Sequence, residues 1–257
     1  MTELADATTL PVRVLRVRRT PRSGGGGRWS TFDVPAPSPR TTILDALTWA
    51  RRHLDPTLDV RHSCFHASCG TCAMRVNGRE VLACVTPLEG LPDRPVVVEP
   101  LRGLDIVSDL VVDLEAVYDA LDAVSPPLQR ADETASAALC ADGEPTRFED
   151  CLECGACVSA CPIAAYDAAY AGPPALAAAW RVAQAPRGAD VDAALDVADG
   201  DQGAWRCHLA FECTAACPVD ARPAQAIMRL RGALLRRHIE DRLRRRAGAA
   251  HVAEVSP

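Results

Sequence analysis

Cys151-Leu152-Glu153-Cys154-Gly155-Ala156-Cys157-Val158-Ser159-Ala160-Cys161-Pro162 carries cysteines at x2, x2 and x3 spacing and ends in Cys-Pro. Further along, Cys207-His208-Leu209-Ala210-Phe211-Glu212-Cys213-Thr214-Ala215-Ala216-Cys217-Pro218 has the same ending and a different beginning. Thiolates at such spacing hold paired iron-sulfur cubanes, the first three of a run on one cluster and the fourth on the other. In the second run Ala210 stands where a cysteine three residues after Cys207 is expected, so one iron corner loses its thiolate. Crossing the fourth cysteines assigns Cys151, Cys154, Cys157 and Cys217 to a [4Fe-4S] cluster, and Cys161, Cys207 and Cys213 to a [3Fe-4S] cluster. Structural zinc competes for Cys-x2-Cys pairs, but zinc needs closed sets of four ligands and commonly uses separated pairs. Triplets that twice end in Cys-Pro favour clusters.

Upstream, Cys64, Cys69, Cys72 and Cys84 give C-x4-C-x2-C with a distant fourth cysteine, the plant-type spacing for a [2Fe-2S] cluster. One loop wraps the cluster, Gly70 lets it turn tightly, and Cys84 arrives from a neighbouring strand to close the coordination. Eleven of the twelve cysteines are thereby used. Cys140, in Ala-Leu-Cys-Ala outside both motifs, reads as structural.

Around these motifs the two halves differ in periodicity. Apolar and basic residues nearly alternate over 12–17, and a second extended stretch covers 29–34, which predicts a hairpin with Arg13, Arg16 and Arg18 toward water. Thr42 can cap a helix whose Ile43, Leu44, Leu47 and Ala50 share a face and which ends near His53. Strands are expected at 73–76 and 79–83 around an Asn77-Gly78 turn, and again at 95–99. Beyond Pro100 the spacing turns helical, first over 104–121, and strand-like runs disappear. The longest helix should start at Pro223, bury Ile227, Leu230 and Leu234, and run into a solvated arginine-rich end over 236–246. The fold class is therefore α+β. A β-grasp plant-type [2Fe-2S] ferredoxin domain over 1–104 precedes an all-helical bacterial-type two-cluster ferredoxin domain over 105–257.

Composition narrows the chemistry. The chain has 257 residues, is 48% hydrophobic and carries a net charge of -6, room for two modest cores. It contains no lysine and no GxGxxG, so neither a P-loop nor a dinucleotide-binding fingerprint is present. Gly24-Gly25-Gly26-Gly27 reads as a loop between strands. The acidic opening Met1-Thr2-Glu3-Leu4-Ala5-Asp6 has no apolar signal core, which predicts reduced thiols available to metal. No apolar run reaches the roughly 18–20 residues of a membrane-spanning helix, so contact with a bilayer is expected through a partner. No hydride-transfer site or nucleophilic triad is visible. With no catalytic residues of its own, the chain reads as a conduit whose substrate chemistry belongs to another subunit.

Arg61-His62-Ser63-Cys64, Cys69-Gly70-Thr71-Cys72-Ala73-Met74, Asn77-Gly78, Leu82-Ala83-Cys84, Pro100-Leu101, Asp109-Leu110-Val111-Val112-Asp113, Gly172-Pro173 and Arg206-Cys207-His208 complete the pattern. Over almost its whole length the chain resembles the iron-sulfur subunit of succinate:quinone oxidoreductases, that is, of succinate dehydrogenase and fumarate reductase. The resemblance implies that the [2Fe-2S] domain faces a flavoprotein subunit with covalent FAD and the dicarboxylate site. It implies that the [3Fe-4S] end meets a membrane anchor where quinone binds, at the cytoplasmic face of the bacterial inner membrane, and that nucleic acid is no partner. Electrons would then pass from FAD through [2Fe-2S], [4Fe-4S] and [3Fe-4S] to quinone. Pro162 and His208 correspond to positions lining the quinone end. The chain departs from the family in having Ala164-Ala165-Tyr166 where many members carry tryptophan, which argues against ubiquinone and is compatible with menaquinone. Tyr166 is otherwise expected to pack in the helical core. Phe65 and Ala67 stand where members often have arginine and glycine. The competing reading is a soluble iron-sulfur subunit of another reductase without a quinone anchor.

Overall fold

The structure is a computed structural model and describes residues 11–22, 26–92, 94–124, 150–184 and 191–255, with side chains described as far as residue 247. Cys140, Gly24 and Gly25 lie outside the described residues.

The N-terminal half is a mixed sheet that grasps one helix. β1 (Val12–Arg19) and β2 (Arg28–Pro35) form the expected hairpin, pairing antiparallel from Val12 opposite Pro35 to Arg19 opposite Arg28. β3 (Ala73–Val76) and β4 (Arg79–Leu82) form a second hairpin, and β5 (Val96–Glu99) joins the two, parallel to β1 and antiparallel to β3. The strand order is β2-β1-β5-β3-β4. Asn77 and Gly78 both have positive φ, 49° and 84°, as a tight two-residue hairpin turn requires. α1 (Ile43–His53) begins at Thr42, whose side chain accepts from Asp45 N while the Asp45 carboxylate accepts from Thr42 N, a capping box that satisfies two orphan donors. Its face of Ile43, Leu44 and Leu47 is fully buried against Leu15, Val17, Val96 and Val98 of the sheet, as the helical spacing requires.

The three hairpin arginines do not all face water. Only Arg16 is exposed, stacked 4.5 Å from the Trp29 ring centroid; Arg18 shares that ring, and Arg13 reaches the carbonyls of Leu91 and Pro92. Long guanidinium side chains on a sheet find π faces and carbonyls before they find bulk water.

Residues 104–121 are not the continuous helix that their spacing suggests. Ile106–Ser108 (β6) and Val111–Val112 (β7) form a small hairpin, and α2 spans only Glu115–Val124. Asp109, at φ 47°, turns this hairpin, and its carboxylate accepts from Thr20 N and Asp59 N, both at 2.9 Å. Arg19 completes the arrangement, with Nε 2.9 Å from Asp109 and a terminal nitrogen 2.5 Å from Asp55. Buried charge-assisted hydrogen bonds from distant segments outweigh a local helical spacing made partly of β-branched residues.

The C-terminal half is helical: α3 (Ala156–Ala160), α4 (Gly172–Gln184), α5 (Val191–Asp199), α6 (Glu212–Ala215) and α7 (Pro223–Val255). α4 is the hub, packed by α2, α5 and α7, and its Ala175, Ala177, Ala178 and Ala179 are fully buried. Small side chains there let the neighbouring helices come close. α7 buries Ile227, Leu230 and Leu234 as expected, and its described side chains from Ile239 to Arg246 are exposed. Arg237 is the exception in its basic segment, pairing with Asp196 at 2.6 Å. The molecule is thus α+β, a mixed sheet followed by a helical half.

Candidate iron-sulfur sites

Cys64 and Cys69 lie in the loop after α1, Cys72 sits at the entry to β3, and Cys84 follows β4 in a 3-10 turn, Ala83–Val85. Ala83 N donates to the Cys72 carbonyl, so the strand pair itself sets Cys84 beside Cys72. Backbone N–H groups aim at sulfur: His66 and Ser68 at Cys64, at 3.5 and 3.3 Å, and Ala67 at Cys84, at 3.3 Å. The Thr71 hydroxyl lies 3.2 Å from the Cys69 sulfur. Phe65 and Ala67, the two departures in this loop, both hold positive φ, 63° and 59°. That conformation turns the amides inward at a cost of about 1–2 kcal/mol for a residue with a Cβ. The His66 and Ser68 amides bring the Cys64 thiol down to about 6, whereas burial pushes Cys72 up to about 11.

The cysteines of the second half form two further groups. Cys151, Cys154 and Cys157 are pushed up by burial and then by neighbouring thiols, Cys217 among them in each case, so the four stand close together. They line one small hollow together with Leu152, Val117 and Pro174. Cys161, Cys207 and Cys213 line a second, and Ala210 stands in its wall. Two hollows therefore have four thiols and three. Burial pushes Cys154 up to about 11, Cys213 to about 12 and Cys157 well above the ordinary thiol value. A positive metal centre is what such buried sulfurs need to stay ionised. Among the described residues no three His, Cys, Asp or Glu side chains converge on a point for a lone metal ion; the thiols stand around hollows instead.

The groups are contiguous. A Cβ built on Gly70, in the first loop, would lie 2.8 Å from both Cys154 Cβ and the Leu152 carbonyl oxygen, so the first and second sites touch here. Cys157, of the second group, feels the charge of Cys213, of the third. Pro162 and His208 are exposed, and both line the hollow of the three-thiol group, as do Phe211 and Ile163. Tyr166 does not pack in the core: it is 94% exposed, on the turn where its N–H bonds the Ile163 carbonyl. The interior position there is taken by Ala164 and Tyr170.

The spacing reading missed three participants. Tyr170 is buried beside Cys207, Cys161 and Cys213; its only sequence signal is a lone aromatic just before Gly172-Pro173. Arg231, indistinguishable from other arginines of α7, donates to the carbonyls of Ala204, Trp205 and Cys207 and so fixes the Cys207 segment. Ser159, in the helix between Cys157 and Cys161, hydrogen-bonds into the sheet domain.

Residues 12–119 match the 2Fe-2S iron-sulfur cluster binding domain, and residues 147–221 match the 4Fe-4S dicluster domain. The fumarate reductase iron-sulfur subunit of Mycobacterium tuberculosis is 36% identical, over 82% of this chain and 88% of its own length. The succinate dehydrogenase iron-sulfur subunit of Coxiella burnetii is 34% identical, over 75% of this chain and 83% of its own. The chain belongs to the succinate dehydrogenase and fumarate reductase iron-sulfur subunit family. A subunit of this family is a component of an oxidoreductase complex, and here its two matched domains divide the thiols between them: Cys64, Cys69, Cys72 and Cys84 in the first, the remaining seven grouped cysteines in the second. The fold match extends over most of the chain. A chain of the Mycobacterium smegmatis Sdh1 complex in the apo form superposes with a TM-score of 0.75 at 22% identity, covering 89% of this chain and 98% of that one. Among the described residues of this subunit no helix is long and apolar enough to cross a membrane. The site residues fit the implied clusters by donor chemistry, with sulfur donors, amides aimed at sulfur and apolar walls.

Proposed function

We propose that this iron-sulfur subunit passes single electrons between FAD in a partner flavoprotein and quinone, of the menaquinone type, at a membrane anchor. Cys64, Cys69, Cys72 and Cys84 would hold a [2Fe-2S] cluster; Cys151, Cys154, Cys157 and Cys217 a [4Fe-4S] cluster; Cys161, Cys207 and Cys213 a [3Fe-4S] cluster. When bound, such clusters supply one-electron stations whose potentials follow cluster type, charge, hydrogen bonds to sulfur and exposure. The observation that carries this reading is the pair of hollows, one with four thiols and one with three and Ala210 in the wall.

The chain's own residues do the rest. Gly70 keeps the first loop against Leu152 and Cys154, which shortens the path from the first site to the second. α3 carries Cys157 at one side and leads directly to Cys161, so a single short helix spans the second and third sites. Exposed Arg61, Phe65 and His66 border the first site and suit the flavoprotein contact. Exposed Pro162, His208 and Phe211 line the third site and, with exposed Tyr166 on the turn after Pro162, suit the anchor and its quinone. Through those partners the chain would sit at the cytoplasmic face of the membrane, with residues 1–104 and 105–257 as its two working domains. The dicarboxylate chemistry belongs to the flavoprotein, and no catalytic residue is assigned here.

Electron paramagnetic resonance of the anaerobically purified complex tests this. A signal from an oxidised three-iron cluster, a separate signal from reduced [2Fe-2S], and extractable bound menaquinone are expected. A complex without the three-iron signal would refute the cluster assignment.

A further inference from the structure

Among the described residues, the Tyr170 side chain places a hydroxyl in the interior with no hydrogen-bond partner, although the residue is only 6% exposed. A buried donor left unsatisfied pays its desolvation with nothing in return, so its place in a native fold needs an acceptor. Tyr170 lines the three-thiol hollow together with Cys207, Cys161 and Cys213. The position is fixed from both sides. Tyr170 N donates to the Asp167 carbonyl, and the Asp167 carboxylate is held by Arg206 at 2.7 Å, next to Cys207. On the other flank Ala171 N donates to the Gln202 carbonyl at 2.9 Å. The segment bearing the phenol is thus tied to the segment bearing Cys207 at two points.

We propose that Tyr170 is a positioning and tuning residue of the third site: its O–H donates to sulfur there, first of all that of Cys207, and raises the reduction potential of the cluster bound by Cys161, Cys207 and Cys213. This rests on the three-thiol reading of that site. Reduction by one electron concentrates negative charge on sulfur, and a hydrogen bond to sulfur stabilises that reduced form more than the oxidised one. A higher potential at the last station before quinone draws electrons toward the anchor end.

Tyr170→Phe keeps the buried ring and removes only the oxygen. In the intact complex, redox titration followed by paramagnetic resonance should show the three-iron cluster's reduction equilibrium moved about tenfold toward the oxidised form, equivalent to ~59 mV for one electron. The potentials of the other two clusters should not change. An unmoved three-iron potential overturns the proposal, and so does an equal shift at all three clusters, which would report loosened packing. Should the variant fail to assemble, the wild-type complex decides: a proton exchangeable in heavy water must couple to the three-iron spin, and its absence overturns the proposal. Failure of the cluster assignment itself is separable, because it appears in the wild-type spectrum as a missing three-iron signal before any substitution is made.

Discussion

Gly70 has φ +70°, and an added Cβ would meet the Leu152 carbonyl oxygen and Cys154 Cβ, each at 2.8 Å. Neither neighbour is the free end of a flexible side chain, so Gly70→Ala must push the two cysteine loops apart as well as strain its own backbone. The expected cost is roughly 1–3 kcal/mol, read as a lower urea midpoint for loss of visible cluster absorption, together with slower electron passage from the first to the second site in freeze-quench experiments. Unaltered transfer in a folded Gly70→Ala complex would show that this contact does not set the path. In the sequence, Gly70 is legible as the turn between two cysteines, because its need for positive φ is local. Its contact with Leu152 is not, since nothing near residue 70 records what lies across the gap. Tyr170 and Ser159 were hidden for the same reason: a hydroxyl shows its purpose only once its buried neighbours are known. The cysteines were legible because ligand spacing is itself a local geometric requirement.

At the level of elements, α1 and the two main hairpins follow from local rules, a capping box at Thr42 and Asp45 and the Asn77-Gly78 turn, and these were readable without the fold. The β6–β7 hairpin was not. Its turn is made by Asp109, whose carboxylate accepts two backbone N–H groups and faces Arg19, with partners in the segment after β1 and the loop after α1. Asp109→Ala should leave those two amides without their acceptor and Arg19 with Asp55 and the Thr57 hydroxyl, costing about 3 kcal/mol or more. Asp109→Asn, which keeps an acceptor oxygen and tolerates positive φ, should cost less. Chemical denaturation of the assembled protein, with both variants beside wild type, checks the order; equal losses would mean that the charge matters and the hydrogen-bond geometry does not.

At the scale of the whole molecule, the sheet and the helical half must keep their cysteines in register, and much of that task falls to Ser159. It is 1% exposed, its hydroxyl donates to Glu80 at 2.8 Å, and it accepts from Arg102 N at 2.9 Å. Glu80 belongs to β4, the strand that leads into Cys84, and is also paired with Arg75 at 3.4 Å. Ser159 belongs to α3, between Cys157 and Cys161. One hydroxyl therefore connects the strand that leads to the last cysteine of the first group to the helix that lies between the other two groups. Ser159→Ala removes both hydrogen bonds and leaves the Glu80 carboxylate and the Arg102 amide short of a partner, at a cost of about 1–3 kcal/mol. Because no cysteine changes its sulfur or its amides, the three potentials should stay where they are. What should change is the mutual placement of the halves: faster proteolytic cleavage in the 100–105 connection and a slower first-to-second transfer at unchanged driving force. Wild-type rates of both cleavage and transfer in Ser159→Ala would assign the register to Gly70 and the apolar contacts of Leu101 and Leu114 with Gly155, while a shifted potential would move Ser159 from the hinge between domains to the electrostatics of a single site.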